Sequence, residues 1–85
     1  MSEDQNVYVA LLNKVRKLWV SKISDEKKNE LKTLEKDARF IKYKKIDADI
    51  LDTYTKLLYD ARQKQVKVNT DTVLENAVDV VIEKI

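Results

Sequence analysis

The sequence predicts an all-α protein, an antiparallel up-down four-helix bundle formed by residues 1–85 as a single domain. Three observations lead there. The chain has no glycine and no proline, so the usual punctuation of strand turns is missing. Charged residues make up 38% of it, the composition of helices with one wet face. Apolar residues recur at three- and four-residue steps in four segments, about residues 6–22, 25–43, 48–64 and 72–84.

The first helix is expected to start near Asp4 or Asn6, either of which can accept a first-turn N–H bond. Tyr8, Leu11, Leu12, Val15, Leu18 and Trp19 form its core stripe, and Val9 and Val20 fall off it. Asn13, Lys14, Arg16 and Lys17 take the other side, with cations toward the C-terminal end that the helix dipole favours.

Ser24 reads as the next N-cap, followed by Asp25 and Glu26 in the first turn. The second helix has a thin stripe of Leu31, Leu34, Ala38 and Ile41 with Phe40 beside it, and an i,i+4 pair, Glu35 and Arg39. It has least to bury and is expected to be the most exposed. A boundary is placed in residues 42–47, with Asp47 as N-cap, because a stripe of Ile50, Leu51, Tyr54, Leu57, Leu58 and Ala61 restarts at a new phase. One uninterrupted helix through that stretch is the alternative.

Val66, Lys67 and Val68 alternate as an extended connection. Thr70 or Thr72 then caps the last helix, and Thr72 with Glu75 has capping-box spacing. Leu74, Ala77, Val78, Val81 and Ile85 make a tight stripe that Val73, Val80 and Ile82 widen to roughly 200°. The tight stripe is expected to close the bundle over the second helix. The three marginal residues either finish the core or mark a partner's seat.

Composition excludes much chemistry. Without cysteine or histidine there is no disulfide, no thiolate zinc site, no thiol nucleophile and no imidazole base. Without glycine there is no phosphate-cradling loop. Asp47, Asp49 and Asp52 lack the glycine and the twelfth-position glutamate of a calcium loop. Neither catalysis, nor a cofactor, nor a metal is expected. No signal peptide and no membrane-spanning segment are visible. The first 46 residues carry net +5 and the remainder −3, so the molecule is polarised, though its net charge is only +2.

Arg39, Lys42, Lys44 and Lys45, flanked by Phe40 and Tyr43, form a basic run that could hold phosphates and stack bases. Asp37 and Asp47 beside it favour a solvated, salt-bridged face instead, or an acidic protein or lipid surface. Arg16 to Lys22 around Trp19 could lie on a membrane, although Trp19 sits on the core stripe. Self-association through surplus apolar surface is a third possibility.

Ile23-Ser24-Asp25-Glu26 opening a charged helix with Leu31, Leu34 and Glu35 resembles the second helix of immunity proteins against pediocin-like (class IIa) bacteriocins. The run from Leu57-Leu58-Tyr59-Asp60-Ala61 through Gln65-Val66-Lys67-Val68 to a capped helix is similar to the rest of that family. The resemblance implies a cytoplasmic, non-enzymatic four-helix bundle, peripheral to the membrane, that recognises a bacteriocin-engaged sugar permease complex. It puts partner binding on Lys67, Asn69, Asn76, Asp79 and Glu83. The alternative reading is a small nucleic-acid-binding or replication-complex accessory protein using the Arg39 to Lys45 run. A second similarity, through Tyr54, Leu57, Arg62 and Lys64, to helical subunits of archaeal GINS replication assemblies points the same way.

Overall fold

The computed structural model describes residues 3–33, 36–64 and 67–85, and side chains within 6–30, 32–33, 41–64 and 67–85. The expected stripe of Leu31, Leu34, Ala38 and Phe40, the Glu35–Arg39 pair and Val66 lie outside those side chains. The protein is all-α, with four helices and no strand among the described residues: α1 (Glu3–Lys22), α2 (Asp25–Thr33), α3 (Lys36–Gln63) and α4 (Thr70–Glu83).

The start of α2 follows the sequence. Ser24 Oγ accepts from the Lys27 N–H at 3.3 Å, and Asp25 and Glu26 occupy the positive end of the helix. Thr33, the last described residue of α2, donates its hydroxyl to the Glu30 carbonyl at 2.7 Å. From Lys36, α3 runs 28 residues without interruption through the boundary expected at 42–47. That is about 42 Å at 1.5 Å per residue.

Asp47 is therefore no cap. Tyr43, Ile46, Ile50, Tyr54 and Leu57 follow one another at three- and four-residue steps along one face of α3, and Asp47, four residues after Tyr43 and three before Ile50, shares it. Ile46, Asp47 and Ile50 are buried, and Tyr43, Tyr54 and Leu57 pack partly buried around them. Ile41, expected on the core stripe of a separate helix, is 67% exposed.

The core is assembled from three helices. Val15 and Trp19 come from α1, Ile46 and Ile50 from α3, and Leu74, Ala77, Val78 and Val81 from α4; Ile23, in the turn after α1, completes it. Tyr8, at the far end of the α1 stripe, is 54% exposed, while Val9 and Val20 lie outside the core as expected. α4 packs on α3 and α1, not over α2, and none of the described side chains of α2 is buried. Of the α4 margin, Ile82 packs on the core, Val73 is half-buried and Val80 is 38% exposed.

The last helix begins earlier than Thr72. Asn69, at φ −94° and ψ 108°, accepts from the N–H groups of Asp71 and Thr72 at 3.0 and 3.3 Å. Asparagine is a stronger cap than threonine, since its carbonyl reaches two first-turn donors. Lys67 and Val68 before it are non-helical, as the alternation predicted.

Candidate docking groove

The distinctive surface of the molecule is a groove of about 440 Å³ where the end of α1, α2 and the first third of α3 meet. The residues that build it are placed by helical spacing. Arg16, Trp19, Val20 and Ile23 fall at i, i+3, i+4 and i+7, so one side of the α1 end carries them all. The short turn at Ile23 and Ser24 folds α2 back, and its Lys28 and Lys32, an i,i+4 pair, look across at them. Tyr43 and Lys44 of α3 complete the wall.

Trp19, Val20, Ile23 and Tyr43 form an apolar floor. It is fenced by Arg16, Lys28, Lys32 and Lys44, with no acidic side chain lining it among the described residues. A mixed surface of this kind suits an apolar group attached to negative charge.

The floor is held rigid from beneath by Asp47. The Trp19 indole Nε1–H donates to Asp47 Oδ1 at 2.9 Å, and Arg16 Nε–H donates to Oδ2 at 2.9 Å. The carboxylate is only 4% exposed, so both oxygens must find protein donors, and both do. A charged pair half open to water on the arginine side avoids most of the desolvation that makes fully buried ion pairs costly. Trp19 also meets Tyr43 with ring centroids 5.5 Å apart and planes tilted by 43°, a favourable aromatic geometry. Among the described residues no buried side-chain nitrogen or oxygen lacks a hydrogen-bond partner.

The opposite side of α1 faces α4 and carries two further cations, Lys14 and Lys22. Lys14 bonds Asp71, while Lys22 Nζ donates to Asp79 Oδ1 at 2.6 Å and Glu75 Oε1 at 3.2 Å. The imbalance between the basic first part and acidic last part of the sequence becomes, in the fold, one helix face matched to another.

Hydrogen bonding to Asp79, then to Glu75, raises the Lys22 amine above its ordinary value of 10.5. A raised folded-state value means the contribution is fully present below the unfolded value and lost as pH rises through the folded one. Lys22→Gln is therefore expected to lower stability slightly at pH 7, the loss shrinking above about pH 10.5. Paired urea melts at neutral and strongly alkaline pH check this; a gap that widens with pH would contradict it.

The structure separates the predicted basic run. At 100° per residue Lys42 and Lys45 lie on one side of continuous α3 and Lys44 on the other. Lys44 lines the groove, whereas Lys42 and Lys45 border a second depression of about 610 Å³ with Asp49, Asp52, Lys56 and Lys84. Mixed charge there gives no field of one sign. Arg39 lies in α3 with its side chain outside those described.

Lys67, Asn69, Asn76, Asp79 and Glu83 are all exposed, but Asn69 caps α4 and Asp79 holds Lys22. No described group of carboxylates could hold a metal ion, and Asp47 is turned inward away from Asp49 and Asp52. No described helix is long and apolar enough to cross a membrane.

Lys28 and Lys32 were not singled out by the sequence reading. Their signal was available: an i,i+4 pair of cations after a short turn, facing an i,i+4 pair, Arg16 and Val20, before it.

What the geometry defines is a small helical protein whose most differentiated feature is a groove with an apolar floor, a cationic rim and a hydrogen-bonded support. The chain belongs to a phage protein family, the phage RNA polymerase binding family RpbA, whose family model matches residues 2–85. No curated protein and no solved structure matches it.

This membership overturns the bacteriocin immunity reading and, with it, the permease complex as partner. The resemblance rested on the order of helices and the spacing of apolar positions, which packing imposes on any small helical protein and which carry no function. The family lies closer to the second reading, a nucleic-acid-binding or replication-complex accessory, although its printed partner is RNA polymerase.

Proposed function

We propose that this chain is a non-catalytic protein that binds RNA polymerase in the cytoplasm of the infected cell. Membership of a family described by RNA polymerase binding, over residues 2–85, is the observation that carries this reading. The groove supports it as a recognition surface, and the lack of histidine and cysteine agrees with a role without catalysis. An up-down ordering of the helices, which short connections favour, belongs to the same reading.

The experiment is direct. The full chain, tagged and immobilised, is challenged with RNA polymerase purified from infected cells at low and moderate salt. Retention of the polymerase in proportion to the bait, and co-elution of the two on gel filtration, is the expected result. Polymerase passing through at low salt, where electrostatic attraction is strongest, would remove the proposal.

A further inference from the structure

We infer that the groove between α1, α2 and α3 receives an acidic protein segment bearing an aliphatic or aromatic anchor, presented by the polymerase. The inference rests on the polymerase-binding reading and adds where the contact is made and with what chemistry.

Charge complementarity identifies the occupant. Lys28, Lys32 and Lys44 reach the rim from α2 and α3 beside Arg16, whose guanidinium Asp47 meets from beneath, and no described acidic side chain lines the groove. Converging cations from different elements hold a concentrated positive potential over one small area, which selects carboxylates and speeds encounter.

The floor says the occupant is more than a charge. Val20 is 46% exposed at the groove, with Ile23 and the Trp19–Tyr43 pair around it. An exposed valine beside fixed aromatic rings offers a seat for one apolar side chain. Such an anchor in a rigid pocket, with charges at its edge, is the usual arrangement of an interface hot spot. Because Asp47 fixes Trp19 and Arg16 beforehand, little ordering is left for the moment of binding.

A nucleic acid fits less well. Bases stack on open aromatic faces, whereas Trp19 is 6% exposed and Tyr43 is half-buried against it. The chain's net charge of +2 is also low for a protein that tracks a phosphate backbone.

The test uses the full chain and its one tryptophan. RNA polymerase from infected cells is titrated against wild type, Lys28→Glu/Lys32→Glu and a control, Glu83→Lys, on α4. Both lysines lie on α2, which contributes nothing buried among the described residues, so the double variant should fold; circular dichroism confirms that first. Binding at least about tenfold weaker in the double variant, with the control unchanged, is the expected result. Equal binding by wild type and double variant overturns the groove while leaving polymerase binding intact.

A second arm separates the two claims. A short synthetic peptide rich in Asp and Glu with a single Phe, its Phe→Ser version, and a single-stranded oligothymidylate are each titrated while Trp19 fluorescence is read. A fluorescence change with the Phe peptide that weakens in the Phe→Ser version and in the double variant supports the groove, even if polymerase fails to bind. A response to the oligothymidylate alone assigns the groove to nucleic acid and overturns the inference. Silence from all three ligands also overturns it, unless the polymerase arm has shown the tenfold loss.

Discussion

Asp47→Ala is expected to destabilise the protein by about 3 kcal/mol, a large share of the roughly 5–10 kcal/mol that a domain of this size has available. Two consequences add. The Trp19 Nε1–H, buried beneath the groove, loses its acceptor, and an unmet buried donor costs about 1–3 kcal/mol. The bond from Arg16 Nε disappears as well. Arginine is half exposed and can turn to water, so its share should be the smaller.

Asp47→Asn separates the two contributions. The amide oxygen can still accept from the indole, but the NH2 then faces the guanidinium N–H, donor against donor. About half of the alanine loss is expected. Urea unfolding followed by circular dichroism measures both variants, and Trp19 emission should move to longer wavelength in Asp47→Ala as water reaches the indole. A midpoint within error of wild type would show that the carboxylate contributes nothing net to the fold.

That aspartate also explains what the sequence could and could not disclose. Where a signal is local, the reading of the chain is accurate. Ser24 followed by Asp25 and Glu26 specifies a helix start through bonds and dipoles within one turn, and the helix starts there. The stripe of Leu74, Ala77, Val78 and Val81 is dense enough that no partner is needed to know it is buried, and all four are. Trp19 sits in the core for the same reason.

Errors arise where a residue's role depends on something far along the chain. Asp47 looks like a cap because an apolar stripe restarts at a new phase just after it. Its donors are 28 and 31 residues away, and only packing of α1 on α3 brings them together. Tyr8 has the spacing of a core residue but lies beyond the part of α1 that its neighbours cover. The groove is hidden for a related reason. Lys28 and Lys32 acquire meaning only when α2 folds back toward Arg16 and Val20, and Lys44 only when continuous α3 turns it away from Lys42 and Lys45. The run of cations in the sequence is not a patch, and the patch in the structure is not a run.

The paired substitutions Ile50→Ala and Ile41→Ala turn the continuity of α3 into a measurement. These positions are nine residues apart, which at 100° per residue places them on opposite sides of one helix. Ile50 is fully buried and Ile41 is 67% exposed. Ile50 lies in a core to which both α1 and α4 contribute, with Val15, Leu74 and Val78 among its most deeply buried members. Truncation there loses the transfer free energy of the removed carbons and leaves a cavity that three packed helices cannot readily collapse. The expected cost is about 4 kcal/mol, enough to leave the protein marginally folded at 25 °C. Ile41→Ala should stay within about 0.5 kcal/mol, since water already reaches that side chain. Two helices divided near Asp47 could each turn an isoleucine inward, and then both variants would be costly. One continuous helix cannot. Similar losses from both substitutions in urea melts would therefore restore the break at 42–47, while a several-fold difference follows from the single α3 and from the stripe that runs through Asp47.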